Sequence, residues 1–180
     1  MGVLKSGHLS VEEIDMDEAL LLLRLALAAL MFGHAAQKLF GWFRGNGVSK
    51  HGQIFESLGL KPGKLMVLFA GVTELVGLAL VASGFLTTLG ATMLLATMIV
   101  AIASLFPNGV WGHLGGYEVA LTYGLIAIVL MISGPGAYSV DALLGFEFSG
   151  LGWAAAGIAV AFIGSLPLTV TLFRFRKAKQ

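Results

Sequence analysis

Residues 65–106 read LMVLFAGVTELVGLALVASGFLTTLGATMLLATMIVAIASLF, and Glu74 is the one charged side chain in this stretch. A helix that crosses a membrane needs about 20 mostly apolar residues. The stretch is therefore long enough for two spans, at about residues 65–86 and 89–106. The link between them, near residues 83–88, is so short that the two helices must run antiparallel. This hairpin predicts an integral membrane protein.

Three further apolar segments, at about residues 19–40, 117–133 and 151–173, bring the predicted number of spans to five. The composition agrees, because 57% of the residues are hydrophobic, 12% are charged and the mean hydropathy is +0.90. A soluble domain carries about 25% charged residues. We therefore predict an all-α fold, a polytopic bundle of membrane helices, and not a soluble enzyme.

Several functional classes are excluded by the charges and residue types. The net charge is +1, and the basic residues flank the predicted spans instead of forming the face that a nucleic-acid-binding protein presents. The chain has no cysteine, so it contains no disulfide or thiolate metal site. Its four histidines lack metal-ligand spacing, and no haem, flavin or iron–sulfur motif is present. Any electrons would be carried by a bound molecule or a partner.

The charged connections predict an orientation. Lys and Arg are concentrated in residues 41–64 and in the tail, 174–180, whereas residues 1–18 and 135–150 are acidic. Short loops rich in Lys and Arg stay in the cytoplasm. Five spans then place the N-terminus outside and the C-terminus in the cytoplasm. Every connection with an excess of basic or acidic residues agrees with this orientation. Residues 41–64 hold either a short amphipathic helix in the interface or an ordinary loop.

Five ionisable residues fall inside predicted spans or at their ends: Arg24, His34, Lys38, Glu74 and Glu118. A charged side chain at the bilayer centre costs about 2.5–3.5 kcal/mol. At 100° per residue, the first three lie within an arc of roughly 80° on one helix, in a stripe about 21 Å long. The predicted depths favour a pair between Lys38 and Glu118, with Glu74 facing His34 and Arg24. Such residues face a bundle interior or a wet cavity.

Two interpretations of these residues remain open at this point. In one, buried ion pairs fix the register of the helices and have no other role. In the other, Glu74 and His34 line a polar cavity that binds a small molecule or relays protons. His113 and Tyr117 are further candidates near the mouth of such a cavity, although the sequence favours a surface-loop histidine for the first and an interfacial aromatic residue for the second. His8 and His51 are interpreted as solvent-exposed residues.

A series of short motifs covers residues 20–144, in the order LRL at 23–25, GHAAQKLFGWF at 33–43, FESLGL at 55–60, AGVTEL at 70–75, NG at 108–109, GGYE at 115–118 and GPGAYSVD at 134–141. In these motifs the chain resembles the DoxX family of small membrane proteins. The resemblance implies a four-helix membrane core at residues 19–144. An acidic segment, 1–18, precedes it, and an additional C-terminal transmembrane helix, 145–173, and a basic tail, 174–180, follow.

The resemblance also implies a role in redox metabolism, because members of the family are associated with quinones and with partner oxidoreductases. We therefore expect a quinone-binding subunit in a prokaryotic plasma (inner) membrane, with a soluble or peripheral oxidoreductase on its cytoplasmic face. There are two alternatives. One is a scaffold for redox proteins that has no ligand of its own, and the other is a small-molecule or proton-coupled carrier. The sequence assigns no catalytic residue and leaves the oligomeric state open.

Overall fold

The computed structural model describes residues 16–179, so most of the acidic segment at residues 1–18 lies outside the described part of the chain. The described residues contain no strand, and the predicted all-α class is confirmed for them. Two short 3-10 turns, Phe106–Asn108 and Gly112–Leu114, accompany seven helices: α1 (Met16–Leu39), α2 (Gly47–Ser57), α3 (Gly63–Ser83), α4 (Thr87–Leu105), α5 (Glu118–Ser133), α6 (Val140–Leu144) and α7 (Leu151–Lys177).

Four of the described helices are long and apolar enough to cross a membrane: α1, α3, α4 with its 3-10 extension, and α7. The helix α5, which corresponds to the predicted span at 117–133, has 16 residues and a length of about 24 Å. It therefore falls short of the usual spanning length. The C-terminal helix predicted at 151–173 is present, and it is one of the four long helices.

The five longest helices run alternately between two ends of the bundle. At one end, which we call the basic end, lie α2, the α4–α5 connection and the C-terminal tail, where Arg176 donates a hydrogen bond to the Ser104 carbonyl. At the other end, the acidic end, the α3–α4 turn meets residues 135–150. There Asp141 accepts hydrogen bonds from the backbone at the start of α4. α1 ends and α3 begins near α2, so α1 runs toward the basic end.

The helix α4 lies at the centre of the bundle, packed against α3, α5 and α7. Small residues allow the close approach, which is typical of membrane helices. Gly77 and Gly90 bring α3 and α4 together, and Gly157 of α7 lies against Thr92 of α4 and Met131 of α5. The contact between α4 and α7 is the most extensive in the bundle, so α7 is an integral part of the core and not an attachment to it.

The helix α1 is displaced along its axis relative to α3. Leu39, its last residue, lies against Gly71, eight positions into α3, and Arg24 lies against Gly84 at the far end of α3. At 1.5 Å per residue, α1 stops about 12 Å short of the basic end of α3. Of the two interpretations of residues 41–64, the structure shows the helix: α2 lies beside the first turns of α3, where Gly52 contacts Gly63.

The acidic end is closed by a buried carboxylate. Asp141 is 3% exposed and accepts hydrogen bonds from the backbone N–H groups of Leu86 and Thr87, at 2.7 and 2.9 Å, and from the Thr87 hydroxyl at 2.9 Å. It thus caps the N-terminus of α4, where a negative charge is favoured. Arg24, which is fully buried, donates to the Tyr138 carbonyl at 2.5 Å. Together these bonds hold residues 138–141 against α1 and α4.

We expect Asp141→Ala to lower the free energy of unfolding by at least about 1–2 kcal/mol, because it removes the cap of α4 and leaves the Arg24 charge without its nearby carboxylate. Thermal unfolding in detergent would measure the change. Glu147→Ala is the matched control, since Glu147 is an exposed acid of the same connection. Equal unfolding temperatures for the two variants would contradict the role given to Asp141.

Candidate functional site

A buried ion pair joins α1 to α3. Nζ of Lys38, in the last turn of α1, lies 2.5 Å from Oε1 of Glu74, near the middle of α3. The side chain of Glu74 is 2% exposed and that of Lys38 is 21% exposed. Lys38 reaches Glu74 because α1 ends at the level of Gly71, one helical turn from the carboxylate.

The second oxygen of the Glu74 carboxylate is also buried, but Oε2 has no hydrogen-bond partner in the described part of the chain. An ionised carboxylate accepts several hydrogen bonds, and a buried polar atom without a partner costs about 1–3 kcal/mol. Such an atom in a native site calls for an explanation. Oε2 is therefore the atom of this pair that keeps an unused capacity to accept a hydrogen bond.

His34 extends the pair toward α5. It lies one turn before Lys38 on α1, and both Lys38 and Glu74 are within electrostatic range of its ring. The ring packs edge-on against that of Tyr123 on α5, with 5.9 Å between the centroids. His34 is exposed at the surface of the bundle and Tyr123 is half-buried. The polar cluster therefore opens to the surroundings between α1 and α5.

A second histidine, His51 on α2, lies within electrostatic range of the pair. His51 is half-buried, and its Nδ1 is shielded from solvent without a hydrogen bond of good geometry. Lys38 and Glu74 act on the charge of His51 as well. The sequence alone predicts that His51 lies in solvent, and it does not single out Tyr123. The axial displacement of α1, which the sequence does not reveal, leaves the first turns of α3 free for α2, the helix that carries His51.

The remaining predicted site residues lie away from the pair. Arg24 is at the acidic end, against Tyr138. Glu118 is exposed and accepts a hydrogen bond from the Gly112 backbone at 2.8 Å. The predicted pairs of Lys38 with Glu118 and of Glu74 with Arg24 therefore differ from the pairs in the structure, where Lys38 binds Glu74.

His113 and Tyr117 belong to a loop of the basic end that is held together by its own hydrogen bonds. Asn108 bonds the Gly115 carbonyl at 2.9 Å, and the Tyr117 ring stacks on Phe106 with 6.0 Å between centroids. His113 is exposed in this loop. These two residues are thus surface and packing residues of the loop, and the structure does not bring them to the Lys38–Glu74 pair.

The structure also contains two apolar grooves on the outside of the bundle. One, of about 300 Å³, lies between α4 and α7 and is lined by residues such as Thr92, Trp153 and Gly157. The other, of about 340 Å³, runs along α3 and includes Leu68, Val72 and Met93. Neither groove is lined by Lys38 or Glu74, so the polar cluster is a separate feature.

We name the group formed by His34, Lys38, His51, Glu74 and Tyr123 the Glu74 cluster. It combines an acceptor without a partner (Oε2 of Glu74), a cationic donor (Lys38) and two imidazoles, a type of group that changes charge near neutral pH. The opposite charges of Lys38 and Glu74 cancel, so the cluster favours a neutral polar group over an ion. Its side chains are of the types that donate, accept and exchange protons.

Comparison with known proteins gives a match to one family. The family model described as DoxX matches residues 19–107, a shorter stretch than the motifs at 20–144. No curated protein matches the chain, and no solved structure matches it. The matched residues include α2, α3, α4 and nearly all of α1, and with them every residue of the Glu74 cluster except Tyr123.

We expect Lys38→Met and Glu74→Leu to destabilise the protein strongly when made singly and less than additively when combined. Breaking a fully buried pair costs about 3–5 kcal/mol, and the partial exposure of Lys38 reduces that figure. Unfolding by heat and by denaturing detergent, in a double-mutant cycle, would measure the coupling. Lys64→Met, at an exposed lysine of α3, is the control; additive effects at Lys38 and Glu74 would contradict the pair.

Acid should weaken the fold through His51. Burial lowers the pKa of His51 below its ordinary value, which is about 6.5. A histidine with a lowered pKa binds fewer protons when folded than when unfolded, so its contribution to stability is complete above the unfolded pKa and is lost as the pH falls toward the folded pKa. The unfolding temperature should fall on acidification below about pH 6.5, and less steeply for His51→Gln. His113→Gln, at an exposed histidine, should leave the slope unchanged.

Proposed function

This chain belongs to the DoxX family, and on that premise we propose that the Glu74 cluster binds the head group of a quinone. The chain is a small membrane protein, and four of the helices in residues 16–179 are long enough to span the bilayer. On this proposal it serves as the quinone-binding membrane subunit, or membrane partner, of an oxidoreductase. The observation that carries the proposal is the buried Oε2 of Glu74, which lacks a hydrogen-bond partner within the described residues.

The chemistry of a quinone suits the cluster. A quinol hydroxyl would donate to Oε2 of Glu74, and a quinone carbonyl would accept from Lys38 or from a protonated His34. The head group is uncharged, which fits a site whose cation and anion neutralise each other. Reduction of a quinone takes up protons together with electrons, and groups that titrate near neutral pH supply the protons.

Access to the cluster favours a ligand that is dissolved in the bilayer. His34 is exposed between α1 and α5, beside the half-buried Tyr123. The exposed surface one turn away from it on α1 is apolar, as Leu30 illustrates. An isoprenoid tail would therefore lie along the helices while the head group reaches inward past His34.

We further propose that the chain makes five crossings of a prokaryotic plasma (inner) membrane, with the basic end in the cytoplasm. The alternating direction of α1, α3, α4, α5 and α7 supports five crossings, and the Lys and Arg residues of the basic end support the orientation. Because α5 has 16 residues, it would cross with the help of the loop that precedes it. The electron donor would be a soluble or peripheral oxidoreductase that docks on the basic end.

A second candidate function is a scaffold that assembles redox proteins without a ligand of its own. The close contact of Lys38 with Glu74 favours it, since an ion pair that only fixes the positions of α1 and α3 would have this geometry. A carrier of small molecules or protons is the third; proton-coupled uptake into vesicles that is absent from Glu74→Gln would support it.

The test is to purify the protein in mild detergent and identify co-extracted molecules by mass spectrometry, in the wild type and in Glu74→Gln. We expect about one quinone per chain in the wild type and at least a tenfold loss in the variant, because Gln has no charge and holds its acceptor differently. Glu118→Gln is the control, as it changes an exposed carboxylate and should retain the quinone.

Folding of each variant is checked by gel filtration and by its unfolding temperature before quinone is measured. A folded wild type without quinone, and a Glu74→Gln variant that is merely less stable, would contradict the quinone site and favour the scaffold. Equal quinone in all three proteins would place the ligand elsewhere, with the groove between α4 and α7 as the next position to examine.

A further inference from the structure

The groove along α3 is an uncovered apolar surface. It is lined mostly by five side chains that recur along one face of the helix: Leu65, Leu68, Phe69, Val72 and Val76. They are between 43% and 62% exposed, so the helices of residues 16–179 leave this face open. Glu74 is on the other side of α3, because residues two positions apart, such as Val72 and Glu74, point about 200° apart around a helix. The groove is therefore independent of the Glu74 cluster.

The length and position of the groove match one leaflet of a bilayer. The helix α3 has 21 residues and a length of about 31 Å, close to the thickness of the hydrocarbon core, about 30 Å. Its first turn therefore lies near one interface. From Leu65 to Val76 the groove extends about 16 Å along the helix, and one leaflet contributes about half of the core, about 15 Å. The groove thus suits an apolar chain that starts at the interface of the basic end and reaches the middle of the bilayer.

A lysine stands where the groove begins. Lys64 immediately precedes Leu65, and it points about 40° away from Leu68, which lies one turn further along α3. The stem of Lys64 lies against Gly52 of α2, and the residue is exposed. Its amine is therefore at the edge of the groove, at the level of the first turn of α3.

A second lysine precedes the first turn of α3. Lys61 is exposed in the α2–α3 connection. Its neighbour Leu60 is 2% exposed and packs with Ala103 of α4 and Leu172 of α7 in a small core of the basic end. This anchor fixes the connection, so that Lys61 is held at the same level as Lys64.

The charges of this region are not balanced within the chain. Neither lysine amine forms an ion pair or a hydrogen bond with another described residue. The acid that reaches this end of α3 from α2 is Glu56, which accepts a hydrogen bond from the Gly63 backbone at 2.9 Å. Two lysines and Glu56 leave one net positive charge, and the N-terminus of α3 adds a partial positive charge. A ligand group with one negative charge is favoured here.

We propose that an anionic phospholipid binds along α3, with an acyl chain in the groove and its phosphate between Lys61 and Lys64. Lysine binds phosphate as a point charge on a flexible stem, and a phosphodiester carries the single negative charge that the region lacks. A second copy of the chain is a poorer occupant. In one membrane it would have the same orientation, so its own basic end would lie against these lysines.

The experiment counts the lipids on the protein by native mass spectrometry. The protein in nonionic detergent is titrated with phosphatidylglycerol or with phosphatidylcholine of identical acyl chains. We expect the wild type to bind the first phosphatidylglycerol about 25-fold more tightly, because each lysine near an anionic group adds about a fivefold gain. The double variant Lys61→Gln, Lys64→Gln should bind both lipids alike.

The matched control is the double variant Arg44→Gln, Lys50→Gln, which removes two exposed cations from the same end and should keep the preference. Lys50 points away from α3, since it is two positions, or about 200° around α2, from Gly52. Val72→Trp fills the groove and should weaken the first lipid of either kind by at least about tenfold. Should Val72→Trp fail to fold, Val72→Phe makes the same test with a smaller ring.

Equal affinities of the two lipids for the wild type would overturn the proposal. Equal losses of the preference in the two double variants would do so as well, since they would indicate a diffuse attraction between the basic end and anionic lipids. Displacement of the lipid by excess inorganic phosphate would replace the lipid site with a site for a free ion. An unchanged first lipid in a folded Val72 variant would exclude the acyl chain from the groove.

Discussion

The contact between Lys38 and Glu74 is the interaction on which the other features of this molecule depend. In a bilayer, an unpaired charge at this depth would be expensive, and Lys38 is the one cation that contacts Glu74 within residues 16–179. The contact fixes α1 along α3 at a single position, with Leu39 at Gly71 and Arg24 at Gly84. One ion pair thereby determines where both polar regions of the bundle form.

The two polar regions differ in which of their buried atoms lack a hydrogen-bond partner. At the acidic end, both oxygens of Asp141 accept hydrogen bonds and hold the α3–α4 turn, whereas Nε and Nη1 of Arg24 have no partner among the described residues. In the Glu74 cluster, one carboxylate oxygen and one imidazole nitrogen have no hydrogen bond of good geometry within the described part of the chain. A region whose acceptors are filled stabilises the fold, whereas one with free acceptors is suited to binding. Asp141 therefore has the bonds of a structural residue, whereas Glu74 keeps one acceptor without a partner among the described residues.

The sequence predicted the helical membrane fold because apolar runs and a short hairpin link are local features. It also identified Glu74, His34 and Lys38, since a charge in an apolar stretch stands out. It predicted a pair between Lys38 and Glu118 because the end of α1 and the start of α5 were expected at the same depth in the membrane. The displacement of α1 by about two turns made that assumption wrong. His51 and Tyr123 carry no sequence signal of this kind: one lies in a polar connection, and the other resembles an aromatic packing residue.

The central position of α4 affects how this chain can be assembled during synthesis. Its Thr88 hydroxyl is bonded to the Phe148 carbonyl, and Gly157 covers its Thr92, so these partners of α4 leave the ribosome some 60 residues after it. The stretch that matches the family model, residues 19–107, ends before either of them. The face of α4 that carries the Thr88 and Thr92 hydroxyl groups therefore stays uncovered until α7 is made, and chain termination before residue 150 would leave that face to lipid.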